Sequence, residues 1–319
     1  MEPTHDFGRE AMEKLANRKR KARSLKMNLI KFGVLAVCII SIGLLLSNGK
    51  INQKLVDQKG KKIETPIAEE VSVVQKWEMP KELTEISGLS NIDKDRFACV
   101  QDEIGTLYVF NTANSKVEKE IAFSSPGDYE GLAIVDQIAW VLRADGKLLE
   151  INNIQSTKPE VKEFSTALTI KHNPEGLCYD KSNNRLLIAI KDAEPNSSDY
   201  KGIYSFDLAT KKMDVQPAFR IDLHHEVFTK MKQGKKKKST FMPSGIVLHP
   251  LTGDMYITDG RNSLLLVTDK DGKIKQLYQL NVNEFEQPEG ISCLPGGEIF
   301  IANEGTRLPG NILRIEIKK

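Results

Sequence analysis

From Val71 to the C-terminus the chain is written in short apolar runs separated by turn residues. Leu132-Ala-Ile-Val135 is followed by Ile138-Ala-Trp-Val-Leu142, a turn at Asp145-Gly146, and Leu148-Leu-Glu-Ile151. Near the end, Ile291-Ser-Cys-Leu294, a Pro295-Gly-Gly297 turn, Glu298-Ile-Phe-Ile-Ala302 and Asn311-Ile-Leu-Arg-Ile-Glu-Ile317 repeat the rhythm. Runs this short, punctuated by turns, predict antiparallel strands. One element organises them: Ile86-Ser-Gly-Leu89, Tyr129-Glu-Gly-Leu132, Pro174-Glu-Gly-Leu177, Pro243-Ser-Gly-Ile246 and Pro288-Glu-Gly-Ile291. The glycines are spaced by 43, 45, 69 and 45 residues, and the long interval holds an insertion from Leu223 to Phe241. Several short strands at such a period are the pattern of propeller blades.

Five elements predict five blades. The fifth repeat ends after three strands, and Val71 to Trp77 is a strand left over before the first. Pairing the two closes the ring and removes the sheet edges that invite aggregation. A sixth, degenerate blade is the alternative. Each repeat glycine belongs on the innermost strand, where blades crowd the axis and a Cβ would clash. The expected fold class is all-β: a five-bladed β-propeller over residues 71–319, after an N-terminal transmembrane helix.

Before Val71 the pattern changes. Lys14, Arg18, Lys19, Arg20, Lys21, Arg23 and Lys26 form a basic run, followed by an uncharged stretch from Phe32 to Leu46. Leu29 to Ser47 spans 19 residues, enough to cross a hydrocarbon core of roughly 30 Å. No small-x-small cleavage site follows, which favours an uncleaved signal anchor over a signal peptide. The positive-inside rule then keeps residues 1–28 as a cytoplasmic basic tail, makes 29–47 the anchor and exports the rest. The expected location is the cell (inner) membrane, single-pass, with the propeller extracytoplasmic or periplasmic. Residues 48–70 are polar and without apolar period, and are expected to be a linker. The formal net charge of +3 offers no global case for nucleic acid. Cys99, Cys178 and Cys293 sit in strand-like runs without metal-ligand spacing, and are expected to be buried and unpaired.

Propeller geometry places candidate chemistry. In each blade the start of the innermost strand and the end of the second strand reach the same mouth. The first set is Ser87, Glu130, Glu175, Ser244 and Glu289; the second includes Asp102, Asp145, Asp192, Asp259 and Glu304. The insertion, with Lys235 to Lys238, and the loop from Ala193 to Lys201 enter at this face, while tight turns make up the other. Two readings stand for the acidic mouth. One is an architectural ring of ion pairs with Arg143, Lys191, Arg261 and Arg307. The other is a divalent cation that neutralises carboxylates aimed at one axis, and all-oxygen donors favour Ca²⁺. The metal candidates are Glu130, Glu175, Glu289, Asp102 and Glu304. The lysine run is read as a solvated loop tip, with a polyanion-binding flap as the alternative. No nucleophile–histidine elbow is present to suggest a catalytic triad.

The run Ile86-Ser-Gly-Leu-Ser90, with Val100-Gln-Asp-Glu103, Gly127-Asp-Tyr-Glu-Gly131, Pro174-Glu-Gly-Leu177 and Gln287-Pro-Glu-Gly290, resembles the SdiA-regulated protein family. That resemblance implies an N-terminal membrane segment and an exported five-bladed propeller, distantly similar to NHL-repeat and phytase-like propellers. It also implies a bound calcium ion and no established catalytic activity. The matching acidic positions are Glu130, Glu175 and Glu289; Ser87 and Ser244 depart from a full acidic ring. The expected function is a calcium-binding module for an unidentified ligand or protein partner. The alternative is a metal-dependent phosphoester hydrolase of the phytase-like type.

Overall fold

The computed structural model describes residues 71–156, 158–192, 194, 197–229, 240–306 and 308–318. The basic tail, the expected anchor at 29–47, the linker and Lys235 to Lys238 lie outside these. Among the described residues no helix is long and apolar enough to cross a membrane.

Among the described residues, twenty-one strands form five separate antiparallel sheets. β2 (Ile86–Asn91), β3 (Arg96–Gln101), β4 (Thr106–Asn111) and β5 (Lys116–Ala122) make the first blade in sequential order. β6 (Tyr129–Val135), β7 (Ile138–Arg143), β8 (Lys147–Asn152) and β9 (Glu160–Ser165) make the second. The third holds β10 (Pro174–Asp180), β11 (Arg185–Ile190) and β12 (Tyr200–Asp207), with β13 (Lys212–Met213) and β14 (Phe219–Asp222) both paired to β12. Four continuous strands were expected here, but the outer strand is in two pieces. Pro217 lies in the gap, where its missing N–H cannot feed the ladder. β15 (Gly245–Leu248), β16 (Met255–Asp259), β17 (Leu264–Thr268) and β18 (Ile274–Gln279) make the fourth blade.

The fifth blade contains β19 (Pro288–Cys293), β20 (Ile299–Asn303), β21 (Asn311–Ile317) and, on its outside, β1 (Val71–Glu78). Val71 pairs with Ile317 and Glu78 with Asn311, so the two ends of the domain share one sheet as the leftover strand predicted. Trp77 locks this seam. Its ring lies 6.0 Å from that of Phe300, and its Nε1 donates to Thr112 O in the first blade at 2.9 Å.

The inner strands β2, β6, β10, β15 and β19 each pack on the next, and β19 returns to β2. Five apolar clusters fill the wedges between adjacent blades. Burial falls from axis to rim: β19 is buried throughout, while β9 is exposed or partly exposed throughout. The second strands, buried on both faces, read as nearly continuous apolar runs such as Arg-Leu-Leu-Ile-Ala-Ile in β11. Cys99, Cys178 and Cys293 are buried and free, as expected of small apolar side chains.

Candidate functional site: an acidic propeller mouth

The repeat glycines admit the close approach of inner strands. A Cβ on Gly131 would stand 2.6 Å from Leu177 Cβ and 2.7 Å from Glu175 O; one on Gly290 would meet Leu89 N at 2.6 Å. Next to the glycine, the inner strand carries one residue too many. Ile86 pairs with Gln101 and Gly88 with Val100; Tyr129 with Arg143 and Gly131 with Leu142; Pro174 with Ile190 and Gly176 with Ala189. Ser87, Glu130 and Glu175 are thus the unpaired residues of three β-bulges, and the register also slips between Pro288 and Ile291, around Glu289. A bulge re-aims a side chain that regular pleating would send into the neighbouring sheet.

The two serines tie one blade to the next instead of adding to an acidic ring. Ser87 Oγ donates to Tyr129 O at 2.6 Å, and Ser244 Oγ donates to Pro288 O at 2.8 Å. Thr258 Oγ1, at the end of β16, donates to Glu289 O at 2.6 Å. Each of these bonds holds the backbone at or just before a bulge glutamate.

Three carboxylates remain. Glu175 and Glu289 are buried and Glu130 is partly exposed. Burial, then repulsion from Glu175, Glu289 and Asp128, pushes the Glu130 carboxyl up to about 10. Burial, then Glu175, also drives Glu289 well above the ordinary range. Glu175 reaches only about 7, because Lys191 opposes the effect of burial. Lys191 Nζ sits 2.7 Å from Glu175 Oε1, and Asn173 Nδ2 donates to the same oxygen at 2.9 Å. Burial disfavours the lysine's charge, but Glu175, Glu289 and Glu130 together outweigh that and raise its pKa. Glu175 Oε2 is buried without a hydrogen-bond partner. Glu130, Glu175, Ser87 and Ser244, with the repeat glycines, line a cavity of about 10 Å³, room for one water.

Among the described residues, the expected ion pairing of the ring glutamates is met by Lys191 alone. Arg143 turns away, with Nη2 2.6 Å from Asp145 and Nη1 3.6 Å from Glu163 on the blade's own outer strand. Arg261 Nη1 contacts Met242 Sδ at 3.6 Å, and Arg307 lies outside the described residues. Asp259 is occupied as a loop cap, accepting from Met242 N, Asn262 N and Asn262 Nδ2. Asp102 and Glu304 do reach the mouth, but on its first- and fifth-blade side. Burial, then Glu85 and Glu304, raises Asp102 to about 6, and its Oδ1 is buried without a partner. Glu304 accepts from Gln287 Nε2 and interacts with both Asp102 and Glu289, linking this group to the ring carboxylates. As the side chains stand, no three His, Cys, Asp or Glu among the described residues are grouped so as to hold a metal ion.

One regularity escapes a reading of the repeats alone. Two residues before each glutamate stands a polar residue, Asp128, Asn173 and Gln287; Asn173 Nδ2 donates to Glu175, Gln287 Nε2 donates to Glu304, and Asp128 helps raise the Glu130 carboxyl. The polar position is visible in Asp-Tyr-Glu, Asn-Pro-Glu and Gln-Pro-Glu.

The sequence matches the SdiA-regulated family over residues 70–308. The chain belongs to that family. Curated protein sequences yield no match. Among solved structures, this family member is similar to the glutaminyl cyclase of Myxococcus xanthus, at 13% identity and a TM-score of 0.54, over 78% of this chain and 96% of that one. A luciferin-regenerating enzyme gives 10% identity and a TM-score of 0.48, over 78% and 97%. The PQQ-bound aldose sugar dehydrogenase of Streptomyces coelicolor gives 10% and 0.47, over 79% and 99%. At 13% identity the likeness to the glutaminyl cyclase is one of fold, and propellers host many unrelated activities.

Proposed function

We propose that this SdiA-regulated family member is a membrane-anchored, extracytoplasmic binding module whose acidic mouth takes up a cation, Ca²⁺ first, and presents a ligand- or partner-binding face ordered by it. The observation that carries this reading is Glu175 Oε2: a carboxylate oxygen buried at the axis, without a partner, beside two further carboxylates. An orphaned buried oxygen is costly, and a cation offsets both its desolvation and the repulsion of its neighbours. The donors fit calcium in kind, since all are oxygens. Glu130, Glu175 and Glu289 would hold the ion, with Asp102 and Glu304 on the approach.

Saturating calcium is expected to raise the melting temperature of the purified full chain, by about 2.7 kcal/mol of stability at a hundred times the dissociation constant. Magnesium is expected to do less, since it sheds water reluctantly and demands octahedral geometry. Glu175→Gln is expected to abolish the calcium shift. If the mouth were architecture alone, native protein would melt at the same temperature with calcium or chelator, and Glu175→Gln would destabilise equally in both by stranding Lys191.

A further inference from the structure

Between most blades a side chain crosses and fills the seam. Trp77 of the fifth blade reaches Thr112 O of the first, and Lys119 of the first donates to Ile154 O of the second at 3.0 Å. Lys211 of the third blade lies 2.6 Å from Glu150 of the second and 4.4 Å over the Trp140 ring. Phe219 of the third packs so near Gly272 of the fourth that a Cβ there would stand 3.0 Å from its ring. The seam between the fourth and fifth blades holds an open cavity instead. His249 of the fourth blade touches the turn at Gly297 of the fifth, where a Cβ would come within 3.1 Å of the imidazole. Beside that contact the wedge opens to about 960 Å³. The turns between β15 and β16 and between β19 and β20 border it, which puts it on the face opposite the acidic mouth.

The floor of this cavity is apolar. Val267, Ile299 and Ile315 are buried there, and Tyr256 and Tyr278 add their rings. The His249 imidazole lies 5.6 Å from the Tyr256 ring and backs it. The rim is polar and its charges balance: Asp254, Glu298 and Glu316 stand against Lys275, Arg314 and Lys318, with Lys275 held 2.7 Å from Asp254. We propose that this cavity is a binding site for a neutral saccharide, a short oligosaccharide that lays a ring face on Tyr256 and turns its hydroxyls to the charged rim. A sugar ring has apolar C–H faces and a hydroxylated edge, which match an aromatic floor under a polar rim. Carboxylates supply acceptors to the hydroxyls, and ammonium and guanidinium groups supply donors. A wholly apolar ligand would desolvate the rim without replacing its hydrogen bonds, and an ionic one would gain nothing from balanced charge. The volume is at the upper end for small-ligand pockets and has room for more than one ring. The site does not depend on a cation at the mouth.

Isothermal titration calorimetry of the full chain, in a detergent without a sugar headgroup, tests this with maltotriose, cellotriose and triacetylchitotriose. Trigalacturonate serves as the charged counterpart. At least one neutral trisaccharide is expected to bind, and trigalacturonate about tenfold more weakly or not at all. Tyr256→Ala is expected to weaken binding by about tenfold, the loss of one aromatic platform. Gln276→Trp, on the outer strand β18 at the cavity's edge, fills the space without removing a core side chain. It is expected to abolish binding at an unchanged melting temperature, and it decides the matter should Tyr256→Ala fail to fold. Glu175→Gln, at the opposite mouth, is expected to leave saccharide affinity unchanged. Binding of none of the three neutral sugars overturns the proposal. Equal affinity for trigalacturonate overturns the neutral ligand class, and native affinity in Gln276→Trp would put the sugar elsewhere and overturn the site.

Discussion

Glu130, Glu175 and Asp102 lie where burial and like charge favour their neutral forms, and this makes stability depend on pH. Their folded-state values, about 10, about 7 and about 6, exceed the ordinary 4.5 for glutamate and 3.8 for aspartate. The folded state thus holds these protons more tightly than the unfolded chain. Stability from this source is complete below the unfolded values and is lost as pH climbs toward the folded ones. In chelator, the melting temperature is expected to fall as pH rises from about 5 to about 9, and Glu130→Gln should flatten the profile most. Differential scanning fluorimetry at constant ionic strength would show it, and a native profile rising over that range would refute the assignment. Gly131 offers a test of packing instead of charge. Alanine there meets Leu177 and the Glu175 carbonyl, which belong to backbone and core and cannot swing aside. Gly131→Ala is expected to cost about 1–3 kcal/mol, read as a lower urea midpoint, and to weaken the calcium response by displacing Glu175.

At the scale of elements, the bulge and the closing strand decide most. The bulge converts a repeated Glu-Gly or Ser-Gly pair into an axial side chain followed by a contact too close for a Cβ. Glutamate and serine then divide the work, carboxylates facing the axis and hydroxyls bonding the adjoining blade. β1 has a different task. It covers β21, which would otherwise present an unpaired edge, and brings Trp77 against Phe300 and Thr112. Deleting residues 71–77 is expected to give aggregation or a large loss of thermal stability, whereas deleting residues 48–68 should be nearly neutral. Size-exclusion chromatography and melting curves of the two deletions would compare them directly. Equal stability would mean that closure does not depend on β1.

For the whole molecule, the outstanding expectation is topology. With residues 29–47 as an uncleaved anchor and the basic run inside, a reporter active only outside the cytoplasm should work when fused after Lys319. The protein should also stay with membranes through a high-salt wash, and a soluble chain beginning near Asn48 would contradict the anchor. The propeller itself was legible in the sequence because its information is local and repeated. Strand length, turn residues and the glycine period follow from backbone sterics and burial, and the leftover strand followed from counting. The acidic positions were legible too, since one repeat position maps to one mouth. Which charges meet there was not. Arg143 and Lys191 both end second strands, yet Lys191 reaches Glu175 while Arg143 turns to Asp145 and Glu163. That choice, like the bare Oε2 of Glu175 and the separation of Asp102 from the ring glutamates, depends on side-chain directions across different blades. Glu289 is pushed up by burial and by Glu175, more than a hundred positions away, only when the ring closes.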